Sequence, residues 1–110
     1  MVGVTMAAMP NGHDKNWYRL CGALDGFRSR YGRWPTRVCL PSIIMNDLRN
    51  LFTERDFLTL TSKLQFVLDD ARIVAADEDG GKYSYGDEGF PDHRPNPSAA
   101  EWLGVCPKPE

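Results

Sequence analysis

No run of about 18 apolar residues occurs in this sequence of 110 residues, so it predicts no membrane-spanning helix. No lysine or arginine precedes Lys15, so the first residues lack the positive segment that opens a signal peptide. No disulfide framework is indicated, because the three cysteines, Cys21, Cys39 and Cys106, are odd in number and widely spaced. We therefore expect a cytoplasmic protein with no membrane partner.

The commoner sequence motifs of enzymes are also missing. The chain contains no glycine-rich nucleotide loop, no Walker loop, no His-Glu-x-x-His and no Cys-x-x-Cys. Asp77, Asp79 and Glu88 match three positions of a calcium loop, but Lys82 stands where that loop requires glycine. Each of the two histidines lies in a predicted polar loop, where nothing fixes a catalytic geometry. We predict no cofactor and no metal, and we favour a protein that is not an enzyme.

The length and composition are those of one globular domain. The sequence is 42% hydrophobic and 25% charged, which is ordinary for a folded protein. A chain of this length buries roughly 65% of the surface that its unfolded form exposes, enough for one core. We predict a flexible tail over residues 1–12, a single domain over 13–104 and a frayed end over 105–110.

The first predicted helix begins within residues 13–16 and ends at Gly32, which Pro35 follows. Apolar residues recur along it at steps of three and four, which predicts one face packed on a core. They are Trp17, Leu20, Cys21, Leu24, Phe27 and Tyr31. Gly22 and Gly26 lie one turn apart, where another backbone can approach closely.

Three further helices and four strands follow. Ser42 is predicted to cap a second helix, residues 53–56 have the form of a capping box for a third, and Ser98 opens a short fourth. Strands are predicted over residues 37–40, 64–68, 72–76 and 82–85. The predicted fold class is α+β with two layers. The N-terminal amphipathic helix and two further helices pack on a small antiparallel sheet that ends in a three-stranded meander.

The net charge of −2 conceals a difference between the two halves of the chain. Residues 1–63 carry nine basic and five acidic side chains, net +4. Residues 64–110 carry four basic and ten acidic side chains, net −6. This asymmetry indicates either a surface for a partner or two halves that face each other in the fold. One such partner is a second copy, with the basic segment of one chain against the acidic segment of the other.

The basic stretch is the first candidate site. Arginines and aromatic rings alternate in it with no acidic residue: Arg28, Arg30, Tyr31, Arg33, Trp34 and Arg37. Guanidinium groups bind phosphate and aromatic rings stack on bases, so the stretch is a candidate nucleic-acid interface. The alternative is structural, since cations stabilise a helix C-terminus and Trp34 beside Pro35 is suited to a core. An acidic chain favours a protein partner over nucleic acid.

The second candidate site is the loop over residues 83–91, which combines aromatic, acidic and glycine residues. Its candidate interaction residues are Tyr83, Tyr85, Asp87, Glu88 and Phe90. Such a loop is typical of a recognition surface for a protein. The alternative is that the two tyrosines pack across strands and that Phe90 pins the loop.

Three segments resemble those of small uncharacterised bacterial proteins carried as cargo on mobile elements, such as integron cassettes or phages. They are residues 30–36 (RYGRWPT), 85–91 (YGDEGFP) and 101–104 (EWLG). The resemblance covers residues 15–104 and implies a self-contained accessory protein, without an established activity or site.

Together these features favour a non-enzymatic accessory or regulatory protein that acts by protein–protein interaction. One alternative is a nucleic-acid-binding module that uses the basic stretch. Another is a small-molecule-binding protein or minor enzyme with a pocket between helices and sheet.

Overall fold

The computed structural model describes residues 15–70, 72–85 and 98–108. The helices are α1 (Lys15–Tyr31), α2 (Ser42–Leu51), α3 (Glu54–Lys63) and α4 (Ser98–Leu103). The strands are β1 (Arg37–Leu40), β2 (Gln65–Leu68), β3 (Val74–Ala76) and β4 (Lys82–Ser84). The predicted α+β class and N-terminal helix are confirmed. Within the described ranges, no helix is long and apolar enough to cross a membrane.

Two helix ends follow the expected chemistry and one does not. Thr53 is the N-cap of α3, and its hydroxyl accepts a hydrogen bond of 3.2 Å from the Asp56 N–H. Gly32 follows α1 at a φ of 75°, the conformation that glycine adopts without steric cost. The prediction that Ser42 caps α2 is wrong, because the N-cap is Pro41 and Ser42 is already helical.

The sheet is mixed rather than antiparallel, with strand order β2-β1-β3-β4. Strands β3 and β4 form the predicted hairpin, but β2 lies on the other side of β1 and runs parallel to it. The predicted three-stranded meander is therefore wrong. The reason lies in α2 and α3, which together form a crossover between β1 and β2, and parallel neighbours need a connection of this kind. Strand β1 therefore lies between β2 and β3.

The core lies between α1 and one face of the sheet. Val38, Ala75 and Tyr83 are register neighbours on β1, β3 and β4, and all three are buried on this face. The predicted apolar face of α1 is confirmed, and its buried residues include Trp17, Leu20, Cys21, Leu24 and Phe27. Helix α4 packs on α1 and α3 and adds Leu103 to the core. The opposite face of the sheet presents the half-buried Cys39 and Val74.

Helix α1 approaches β4 closely at two glycines. A Cβ atom on Gly26 would lie 2.2 Å from the Tyr83 ring, and one on Gly22 would lie 3.1 Å from the Tyr85 ring. The predicted close approach therefore occurs here, but its neighbours are aromatic rings rather than another backbone.

The first residues of the predicted frayed end belong to the fold. Val105 is buried, and the Lys108 N–H donates a hydrogen bond of 2.7 Å to the Leu51 carbonyl. This bond joins the chain after α4 to the end of α2. The predicted tail over residues 1–12 lies outside the described residues.

Candidate functional site

Asp77 joins the basic end of α1 to the acidic hairpin. Its Oδ2 accepts from Arg33 Nε at 2.6 Å, and its Oδ1 accepts from the N–H groups of Asp79 and Gly81. The carboxylate is buried, and its hydrogen bond from Arg33 holds its pKa below the usual 3.8, against the opposing effect of burial. The same hydrogen bond raises the pKa of Arg33. At this pair, the basic and acidic halves of the chain neutralise each other internally.

Arg30 is likewise engaged within the chain. Its guanidinium carbon lies 4.8 Å from the centroid of the Tyr83 ring, and its Nη1 donates to the Lys82 carbonyl at 3.1 Å. Two of the four arginines of the basic stretch, Arg30 and Arg33, therefore make specific intramolecular contacts.

The third arginine, Arg28, belongs to a stack of side chains. Trp34 lies on Trp102 with ring centroids 4.6 Å apart and planes 4° from parallel. Arg28 lies 4.7 Å from the Trp34 centroid, while Lys63 Nζ lies 5.7 Å from the Trp102 ring and donates to the Trp102 carbonyl. Each indole therefore contacts both a cation and the other indole, which reduces the ring surface open to a base.

The two tyrosines of the second candidate site pack towards α1. Tyr83 is only 7% exposed and lies against Gly26, and Tyr85 is half-buried beside Gly22. Both rings thus lie against a helix, whereas the alternative interpretation placed them across strands. Asp87, Glu88 and Phe90 lie outside the described residues, and their role as an interaction surface stays a prediction.

A half-buried carboxylate lies between α1 and α4. Asp25 accepts a hydrogen bond from the Ala99 backbone, and its buried Oδ2 has no hydrogen-bond partner among the described residues. Burial raises the pKa of Asp25 to about 6, against the opposing effects of the Ala99 bond and the Arg28 charge. Burial, reinforced by the Asp25 charge, also raises the pKa of the Cys21 thiol. In the described ranges, no three potential ligands cluster in a way that suits a metal ion.

The outer edge of β4 is covered by side chains from the end of α1. The Lys82 N–H donates to Tyr31 Oη at 3.1 Å, and the Tyr31 hydroxyl donates to the Lys82 carbonyl at 3.1 Å. Arg30 donates to the same carbonyl. The backbone groups of Lys82 are therefore already bonded, which makes them unavailable to another strand.

The outer edge of β2 is different. The Gln65 N–H donates to the Thr36 carbonyl, and the Asp69 N–H donates to the Leu40 carbonyl. Successive residues of a strand direct their backbone groups to opposite sides, so those of Phe66 and Leu68 point away from β1. Among the described strands, only β1 pairs with β2. The side chains of Val67 and Leu68 are 36% and 60% exposed, and no residue of β2 is charged. We call the outward side of residues 65–68 the open edge.

The sequence assigned no functional role to the residues of the open edge, to Trp102 or to Lys63, and it pointed to Asp77 only as a match to a calcium loop. The uncharged run 64–68 is a signal for the open edge, although its alternating pattern predicts a strand of the three-stranded meander. The stack on Trp34 had no local signal, because Trp102 on α4 contacts Trp34 and Lys63 at the end of α3 contacts Trp102 only in the folded structure. No protein-family model, curated protein or solved structure matches this chain.

Proposed function

We propose that this protein is a non-enzymatic accessory or regulatory protein that acts by protein–protein interaction, and that the open edge is its contact surface. The observation that carries the proposal is an edge strand with outward backbone groups at Phe66 and Leu68 and with exposed Val67 and Leu68 side chains. Natural proteins commonly protect edge strands with charge, proline, bulges or covering elements. An apolar edge without charge is suited to recognition by strand addition, in which a partner contributes the next strand.

Recognition by strand addition has two parts here. The outward N–H and C=O groups of Phe66 and Leu68 supply hydrogen bonds that any extended backbone can complete. The Val67 side chain lies on the face of the sheet away from α1, where it supplies an apolar contact that selects among partners. The accessory role agrees with what the mobile-element resemblance implies.

Nucleic-acid binding through the basic stretch has weaker support. Arg33 is paired with Asp77, Arg30 is bonded to the Lys82 carbonyl, and the acidic hairpin lies next to them. A protein that grips phosphates through this stretch should shift the mobility of an oligonucleotide at low salt and lose affinity steeply as salt rises. We expect no shift.

The proposed function is tested by capture with matched bait proteins. The baits are the wild-type chain, Val67→Glu and Ile43→Glu, each offered to a lysate and to a differently tagged copy of the same chain. Ile43 is 76% exposed on α2, outside the sheet, so its substitution makes the same apolar-to-acidic change away from the open edge. We expect a protein that the wild type and Ile43→Glu retain and Val67→Glu loses.

Two results would count against this proposal. If no protein, including the tagged copy, depends on Val67, the open edge is not the contact surface. A fourth bait with alanine at Asp87, Glu88 and Phe90 tests the loop prediction. Loss of capture with that bait alone would assign the interface to the loop.

A further inference from the structure

The charges at the two ends of β2 make the open edge complementary to itself. Lys63 precedes the strand, and Arg37 lies beside Gln65 in the register at the same end. Asp69 and Asp70 follow the strand at its other end. An antiparallel arrangement of two copies places the basic end of each strand beside the acidic end of the other, whereas a parallel arrangement opposes like charges.

The outward backbone groups select one register for such a pair. When Phe66 of each copy lies opposite Leu68 of the other, all four outward residues exchange N–H and C=O bonds. A register centred on Phe66 would instead require the Leu64 N–H, which already donates to Leu60.

The side chains agree with this register. Val67 lies on the two-fold axis opposite its counterpart, so the exposed valines of both copies bury each other. Gln65 lies opposite Asp69 of the second copy, where its amide can donate to the carboxylate. Arg37 is on the same face as Gln65, so it adds a positive charge on that face at the same end. The two-fold axis runs perpendicular to the sheet, which keeps α1 of both copies on one side.

We propose that two copies of this chain associate through antiparallel pairing of their β2 strands, with Val67 on the two-fold axis. The proposal rests on the proposed function and names its partner as a second copy. The interface is isologous, because the same residues contribute from both chains. It joins the two sheets into one continuous sheet, whose ends are the covered β4 edges.

The first measurement is the molecular mass by light scattering, at chain concentrations up to about 1 mM so that even a millimolar complex is substantially formed. We expect twice the single-chain mass of 12.4 kDa for the wild type and for Ile43→Glu. Val67→Glu places two carboxylates on the axis and should restore the single-chain mass. A wild-type monomer at every concentration, or a Val67→Glu dimer, would overturn the proposal.

The second measurement tests the register by disulfide formation, in a background with Cys39→Ser and Cys106→Ser because Cys39 lies beside residue 67. Cysteine at position 67 should crosslink two chains on oxidation, since facing Cα atoms at such a position are about 4.5 Å apart. Gln65→Cys is the matched control on the same face, where counterparts are roughly 13 Å apart. Crosslinking by Gln65→Cys, or none by Val67→Cys, would overturn the register.

The outcomes separate this proposal from the proposed function. A single-chain mass together with Val67-dependent capture of a different protein would refute the homodimer and leave the proposed function intact. A single-chain mass with no Val67-dependent capture would refute both.

Discussion

The two edge strands of the sheet, β4 and β2, differ in whether side chains of the molecule bond their outward backbone groups. At β4, the backbone groups of Lys82 are bonded by Tyr31 and Arg30, and Tyr83 is buried against α1. At β2, the outward groups of Phe66 and Leu68 have no such cover among the described residues, and the adjacent side chains are exposed. One edge is thus closed by the molecule's own side chains, and the other is the edge for which we propose a partner strand.

The difference shows that edge protection depends on what packs beside a strand as well as on the strand itself. Helix α1 ends over β4, so its last turn delivers a hydroxyl and a guanidinium to that edge. Among the described elements, none delivers such groups to β2. Variants that loosen the closed side should therefore make it behave like the open one.

The largest effect is expected where α1 and β4 approach most closely. Gly26→Ala places a methyl group 2.2 Å from the buried Tyr83 ring, so ring or helix must move. We expect a loss of about 2–3 kcal/mol in the free energy of unfolding, measured by denaturant titration.

Gly22→Ala is the matched control for that substitution. Its methyl group lies 3.1 Å from the half-buried Tyr85 ring, and alanine gains about 1 kcal/mol of helix propensity, so we expect a change near zero. Equal losses of stability in the two variants would show that the clash with the Tyr83 ring is not what destabilises Gly26→Ala.

An intermediate effect is expected from removing the hydroxyl that closes β4. Tyr31→Phe keeps the ring contact with Phe27, whose centroid is 4.6 Å away, but leaves both backbone groups of Lys82 without the hydroxyl. We expect a loss of about 1.5 kcal/mol in the free energy of unfolding.

The same variant should also create a second open edge. Light scattering should then detect species larger than those of the wild type at equal concentration. Unchanged association would mean that Arg30 or the short length of β4 is sufficient protection.

The smallest effect concerns the half-buried carboxyl group that joins α1 to α4. Because the folded pKa of Asp25 is about 6 and its ordinary value is 3.8, the folded state binds the proton more tightly. Stability therefore falls as pH rises from about 4 to about 6, and the loss is complete above that range. Asp25→Asn should be more stable than the wild type by about 1 kcal/mol at pH 8, a value reduced for solvent screening.

The check is a series of thermal unfolding curves for both proteins between pH 4 and pH 8. The two proteins should converge towards pH 4, where the Asp25 carboxyl group of the folded protein is protonated and both folded side chains are therefore neutral. A stability difference that does not vary with pH would show that burial does not raise the pKa of Asp25.

The comparison of predicted and observed elements separates local from non-local information. The spacing of Trp17, Leu20, Leu24 and Phe27 predicted α1 and its buried face, because helical periodicity is a local property. The Thr53 cap and the Gly32 terminus were predicted for the same reason. The place of β2 was not predictable in this way, since short apolar strands carry no local signal of which strand they pair with.

The residues of the candidate sites show the same division between local and non-local information. The basic stretch, with Arg33 and Trp34, was visible in the sequence, but the pairing of Arg33 with Asp77 and the stacking of Trp34 on Trp102 were not. The sequence allowed two interpretations of the charge asymmetry, and the Arg33–Asp77 pair shows that the halves meet at least at that point.

By itself, the sequence determined the α+β class, the helices and strands and most of their ends, because periodicity, caps and glycine turns act over a few residues. The tertiary structure alone decided that β1 is central, that β2 is an edge and that β4 is closed by Tyr31. These features depend on contacts between segments some 30 to 50 residues apart. Such segments bury their apolar side chains and complete their backbone hydrogen bonds only together, so no single segment specifies the arrangement.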